Sequence, residues 1–224
     1  MTTPFIEQYY EKSIRIAPDG FSFFKRNGRK MESVSFSYTD NTLITNEAPK
    51  FFNASDEVTV IAARHVPMLI PEEIYDPARN MEYLTLQFDT SHLGESYSDK
   101  NGLYQSVYFL TKNEKDTLGR LPFHFQTMAE TTLFYRFLCQ QEKTDALFVG
   151  RNKDFTDILA IHKGEILLAN RFHLVEPADT LYYIYNVVTQ FHMQSPSLYL
   201  HFFAEEEKKL TSLLKTHKLN PNIV

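Results

Sequence analysis

Two stretches of the chain place strand-like apolar runs and tight-turn signals in the same order, about half a chain apart. The first holds Ser13-Ile14-Arg15-Ile16, a turn at Pro18-Asp19-Gly20, Phe21-Ser22-Phe23-Phe24, a turn at Asn27-Gly28, and the run from Val34 to Tyr38. The second holds Ala146-Leu147-Phe148-Val149, a turn region from Gly150 to Asp154, the run from Thr156 to Ile161, a turn at Lys163-Gly164, and the run from Glu165 to Asn170. Asp-Gly and Asn-Gly pairs supply the positive φ that tight hairpins need. Phe21 and Phe23 flank Ser22, the alternation of a strand with one buried face. Each stretch predicts a three-stranded meander, and the recurrence predicts a duplicated α/β unit.

Between the meanders the pattern is less regular. Asn41 to Asp56 has weak helical character broken by Pro49, and Glu57 to Ala63 reads as a buried strand. Pro71-Glu72-Glu73-Ile74-Tyr75 reads as a short helix with proline in its first turn and acids at its positive end. The alternation of Leu84, Leu86 and Phe88 with Thr85 and Gln87 predicts a strand over Tyr83 to Phe88. The polar stretch Asp89 to Asn101 reads as an exposed loop, and Val107 to Leu110 as another strand. Thr127-Met128-Ala129-Glu130 has the form of a capping box, with a helix to about Gln141 burying Leu133, Phe134, Phe137 and Leu138.

In the second half, Glu176-Pro177-Ala178-Asp179 opens a helix to about His192. Leu181, Ile184, Val188 and Phe191 form its stripe, and Tyr182, Tyr185 and Val187 widen it, which predicts packing on two sides. Ser197 to Phe203 reads as a strand, and Glu205 to His217 as a helix with Leu210, Leu213 and Leu214 inward, ended at Asn220-Pro221. Whether a final strand follows is left open by the sequence. The order β-β-β-α-β-α is that of a ribonuclease-H-like unit. The expected division is 1–126 and 127–224, with the boundary as late as 145 in the polar segment Gln140 to Asp145.

The 224 residues are 43% hydrophobic and 23% charged, enough for a real core in one domain or two half-domains. A net charge of −5 gives no footprint for nucleic acid or an anionic membrane. No apolar stretch approaches the length of a membrane span, and the N-terminus has no secretory pattern. Cys139 is the only cysteine, which excludes an internal disulfide and a cysteine-based zinc site and fits a reducing cytoplasm. With no local base, Cys139 reads as inert packing. The eight histidines include no His-Glu-x-x-His, so His124, His162, His173 and His201 read as packing or surface residues. No Gly-x-Ser-x-Gly or Gly-x-Gly-x-x-Gly occurs. The Tyr182-Tyr183-Ile184-Tyr185 cluster is a candidate partner surface, set against a reading in which it faces the core and the other half.

Three stretches carry a resemblance: Ser13 to Phe23, Phe123-His124-Phe125-Gln126-Thr127, and Leu168-Ala169-Asn170-Arg171-Phe172 leading to Asp179-Thr180-Leu181-Tyr182-Tyr183. On these the chain resembles, over nearly its whole length, an uncharacterised bacterial domain family with an actin-like ATPase fold. The second half, with Thr156-Asp157 and the Gly164 turn, also looks like cytoplasmic actin-like proteins of pilus assembly and type II secretion. The resemblance implies two ribonuclease-H-like halves, each a mixed sheet flanked by helices. In active relatives an Asp-x-Gly turn in each half would hold phosphate and magnesium. Here Arg15 falls at the acidic position of the first half, and Phe148-Val149-Gly150-Arg151 at the matching place in the second. The adenine-side Gly-Gly turn is replaced by Phe202-Phe203-Ala204-Glu205.

These departures imply a non-catalytic, cytoplasmic binding or scaffold protein without a cofactor, engaging a protein partner or a second copy of itself. The alternative is a divergent nucleotide-binding ATPase or small-molecule kinase taking ATP and magnesium in a cleft between the halves. Its candidate residues are Arg15, Asp19, Gly20, Gly150, Arg151 and Asp157, with Lys153 and Asp154 beside them. For Asp19 the plain reading is a hairpin turn, and for Asp154 and Asp157 a solvated turn and a strand end.

Overall fold

A computed structural model describes the chain apart from residues 1–4, 6–8, 29, 38–41, 175, 204–207 and 220. It forms two compact units, Met1–Leu133 and Phe134–Val224.

The first unit is organised by a sheet whose central strand, β1 (Lys12–Ala17), is buried on both faces from Ser13 onward. β1 pairs antiparallel with β2 (Gly20–Asn27), and β2 with β3 (Lys30–Ser37), an edge strand exposed along most of its length. On the other side β1 pairs parallel with β4 (Glu57–Ala62), and β4 with β8 (His124–Ala129), giving the order β3-β2-β1-β4-β8. Ile14, Ile16, Phe21, Phe23, Val58 and Val60 share one core, and α1 (Thr42–Phe51) adds Ile44 and Ala48 to it. Asn27 pairs with Lys30, and Gly28 supplies a φ of 62° in the tight loop between them, as its sequence demands.

Between β4 and β8 the chain builds a smaller sheet of order β5-β7-β6, from β5 (Met68–Pro71), β6 (Leu93–Asn101) and β7 (Tyr104–Thr111). Short helices α2 (Asn80–Thr85) and α3 (Lys112–Leu118) accompany it. Ile70, Tyr83, Leu84, Val107 and Phe109 form its separate apolar cluster.

Helix α4 (Glu130–Gln140) follows β8, and the division between the units falls within it. The second unit repeats the first sheet's plan. β9 (Asp145–Arg151) pairs antiparallel with β10 (Phe155–His162), and β10 with β11 (Glu165–His173). β12 (Ser197–Phe202) lies parallel to β9, and β13 (Asn222–Ile223) parallel to β12, giving β11-β10-β9-β12-β13. β9 is buried from Ala146 through Arg151, the continuous apolar run of a strand covered on both faces. α5 (Pro177–Gln190) and α6 (Lys208–Thr216) pack Leu181, Ile184, Val187, Leu210 and Leu214 against Leu147, Val149, Ile158 and Ala160. Lys163 (φ 50°) and Gly164 (φ 82°) form the left-handed pair of a tight hairpin turn. Both large sheets thus show three antiparallel strands followed by two parallel ones, the duplication expected from the two meanders.

Several local expectations change. Tyr83 to Phe88 is not a strand: Tyr83 and Leu84 are buried in α2, and Leu86 is 78% exposed. The exposed loop expected over Asp89 to Asn101 contains β6, whose polar residues suit a strand with a single partner. Thr127 lies in β8, so the capping box expected there is absent. A real one stands at Thr111 and Glu114, where each side chain takes the other's backbone N–H. α5 buries one face only, leaving Tyr182 and Tyr185 exposed, and Cys139 is exposed as well. The question of a final strand is answered by β13. Tyr38 and Asn41, the start of the last helix at Glu205, its stop at Asn220, and Ala204-Glu205 of the expected adenine-side position lie outside the described residues.

Candidate functional site

Of the six candidate residues, three belong to the first unit. Arg15 is buried on β1, and its guanidinium grips Glu130 at the start of α4, with Nε 2.6 Å from Oε1 and Nη2 3.1 Å from Oε2. The Tyr10 hydroxyl donates to the same Oε1 at 2.6 Å. Burial, with the Glu130 charge adding to it, holds the Tyr10 hydroxyl well above its ordinary pKa. The cation standing at the expected acidic position therefore has its counterion beside it. Asp19 is exposed in the β1–β2 turn. Gly20 is there for packing: a Cβ would lie 2.0 Å from the Phe36 carbonyl oxygen on β3.

The other three share the β9–β10 hairpin, where Asp157 pairs with Gly150, and Arg151 with Thr156. A Cβ on Gly150 would meet the Phe134 ring at 3.0 Å and the Phe203 ring at 3.2 Å. Arg151 is buried and folds back on its own turn, with Nη1 donating to the carbonyls of Asn152, Lys153 (2.9 Å) and Phe155 (3.4 Å). Asp157 is clasped by Arg171 from β11 through Nε at 2.7 Å and Nη2 at 2.8 Å. That guanidinium also lies 3.9 Å from the centre of the Phe155 ring, a cation–π contact. Lys153 and Asp154 are exposed in the turn. Among the described residues, no group of three or more His, Cys, Asp or Glu side chains is placed to hold a metal ion.

Two arrangements escaped sequence reasoning. In the first unit, Asp99 of β6 serves the start of α4: its Oδ2 accepts from the Ala129 N–H at 2.8 Å and the Thr132 hydroxyl at 2.9 Å. Tyr108 donates to Oδ1 at 3.3 Å, and burial followed by the Asp99 charge pushes its hydroxyl pKa up. Asn101 completes the network, donating to Ser106 at 2.6 Å and Thr132 at 2.9 Å. In the second unit, an open basin of about 630 Å³ lies at the start of β9 and β12, lined by Lys143, Asp145, His162, His192, Ser195 and Ser197 among others. Within it the His162 Nδ1 lies 2.6 Å from Asp145 Oδ1, while Oδ2 accepts from the Gln194 N–H at 3.2 Å. The signal for this pair was available: counting outward from the β9–β10 turn sets Asp145 opposite His162.

A model of one protein family matches residues 2–223 of the chain. The chain belongs to that family, described as a protein of unknown function (DUF3822). Among curated proteins, none matches it in sequence. Solved structures match this DUF3822 chain in fold. A Bacteroides thetaiotaomicron protein with an actin-like ATPase fold and unknown function superposes with a TM-score of 0.70 at 21% identity, over 98% of this chain and 93% of the other. A PilM–PilN type IV pilus biogenesis complex gives a TM-score of 0.57 at 11% identity, over 96% of this chain and 88% of the other. The filament of AlfA from a B. subtilis plasmid gives 0.50 at 8% identity, over 95% of this chain and 90% of that one. The DUF3822 chain therefore has the actin-like ATPase fold expected from its sequence. Among its described residues, no helix is long and apolar enough to cross a membrane.

Proposed function

We propose that this DUF3822 protein is a non-catalytic, cytoplasmic binding or scaffold protein, in which the phosphate-holding positions of an actin-like fold have been converted to structural ion pairs. The observation that carries the reading is the buried Arg15–Glu130–Tyr10 cluster. A magnesium–nucleotide site needs carboxylates turned toward the metal and donors turned toward phosphate. Here the Glu130 carboxylate is committed to Arg15 and Tyr10, Asp157 to Arg171, and the Arg151 guanidinium to its own backbone. These residues do not fit magnesium and nucleotide.

The exposed tyrosines on α5 support a protein partner or a second copy of this chain, because tyrosine supplies apolar area with a polar tip. Among the fold neighbours, PilM is seen in complex with PilN, which lends support to partner binding.

Thermal unfolding with Mg-ATP, Mg-ADP and free ATP tests the reading. No nucleotide-dependent change in Tm is expected. A ligand at about 100 times its Kd stabilises by about 2.7 kcal/mol. A magnesium-dependent shift of that size would overturn the proposal in favour of the divergent ATPase or kinase.

A further inference from the structure

The basin at the start of β9 and β12 has the size of a small-metabolite site, and its volume of about 630 Å³ lies within the range such sites occupy. Its chemistry is one-sided. Lys143, His162 and His192 supply basic groups, and Thr144, Ser195 and Ser197 supply hydroxyls. Asp145, the single acid in the lining, already faces His162 and the Gln194 N–H. Because a carboxylate only accepts, the Asp145 contact puts a proton on His162 Nδ1, and it is the imidazolium, with a second N–H at Nε2, that can donate to Asp145 and to an incoming oxyanion together.

The backbone is arranged around the same space. His192 (φ 51°) and Ser195 (φ 52°) both hold left-handed conformations that favour glycine, yet both bring polar side chains to the lining. The C-terminus of α5 ends here, and its dipole alone would repel an anion. The carbonyls of Val187, Val188 and Thr189 are, however, taken by the N–H groups of Phe191, Met193 and His192. Phe191 and Leu167 give the basin an apolar wall.

We propose that this basin binds a small organic oxyanion, a carboxylate or phosphate ester, with the anionic group held by Lys143 and His162 and the carbon skeleton against Phe191 and Leu167. The site is separate from the nucleotide positions of the fold, and its occupancy is independent of whether those positions are silent. The shared chemistry is the oxyanion, and the probes separate its two sources.

The test is a titration of the full-length, isotope-labelled protein with sodium phosphate and, separately, sodium succinate, following the imidazole signals of His162 and His192 by NMR. Sodium chloride at matched ionic strength is the control. A saturable shift with an apparent Kd of about 1 mM, equivalent to about 4 kcal/mol, is expected for at least one probe and none for chloride. Saturation by phosphate alone assigns a phosphate ligand, and by succinate alone a carboxylate. K143Q, a substitution at an exposed residue, should weaken binding at least about tenfold, or about 1.4 kcal/mol, with the unfolding midpoint unchanged. H162Q should do the same, read through His192. Linear shifts indistinguishable from chloride for both probes, or an unchanged affinity in K143Q, would overturn the proposal.

Discussion

Breaking the Arg15–Glu130 pair should be among the most damaging single changes available in the first unit. The two side chains are only 5% and 4% exposed, so neither R15M nor E130M leaves the surviving charge a route to water. Removing one member of a buried pair costs about 3–5 kcal/mol, because the remaining charge is stranded. E130M also leaves the Tyr10 hydroxyl without its 2.6 Å acceptor, which adds about 1–2 kcal/mol. Either single change removes a large part of the 5–15 kcal/mol or so that holds a domain together. In the double variant neither charge of the pair is left, and since an apolar replacement of a buried pair is itself near neutral, the cost that remains is the lost acceptor of the Tyr10 hydroxyl, about 1–2 kcal/mol. R15M/E130M should therefore recover at least about 3 kcal/mol relative to the sum of the singles. Urea unfolding followed by circular dichroism reads this directly. With a slope of about 2 kcal/mol/M, R15M should lower the midpoint by roughly 1.5–2.5 M and E130M by roughly 2–3.5 M. Single costs below about 1 kcal/mol, or strictly additive costs in the double variant, would refute both the buried-charge reasoning and the account of this site as a structural ion pair.

Two further outcomes test other parts of the structure. G20A places a methyl group 2.0 Å from the Phe36 carbonyl, and relief requires parting β2 from β3, so a loss of at least about 2 kcal/mol is expected in thermal melts; a cost within about 0.5 kcal/mol would contradict the strand packing. The Asp56 pKa is held below its ordinary value, chiefly by Lys12 at 2.9 Å and next by the Asn53 N–H, so its stabilisation is complete above the unfolded value near 3.9 and is lost as pH falls through the lower folded value. D56N should cost about 1 kcal/mol at pH 7, discounted because Lys12 is 39% exposed, and the gap to the parent should close below roughly pH 4; a gap that does not change with pH would refute this.

The large sheets were legible because their turns and strands speak with one voice. Asn27-Gly28 and Lys163-Gly164 sit between alternating or continuous apolar runs, and each became the hairpin turn it implies. The smaller sheet was not, because its strand β6 has one partner and tolerates Ser96, Ser98, Asp99 and Lys100. α2 was misread because a helix of six residues carries too few positions to tell period 3.6 from period 2. The Thr-x-x-Glu pattern occurs at both Thr111 and Thr127, and only tertiary pairing decides between them: Met128 and Ala129 are tied to Ile61 and Ala62, which keeps Thr127 in a strand. At the candidate site, the absence of the expected acid was visible in the letters, but its consequence was not. Nothing local to Arg15 points to Glu130, which lies 115 residues away. Likewise Arg171 reaches Asp157 only once β10 and β11 are in register.

Asp99 and Asn101 arrive from the smaller sheet but satisfy groups that belong to the first turn of α4. Trimming the protein to its larger sheet by excising that insertion would uncork the helix, because the Ala129 amide and the Thr132 hydroxyl would lose the carboxylate that caps them both. The insertion thus works as a stopper, and a minimal version of this half would have to carry its own plug.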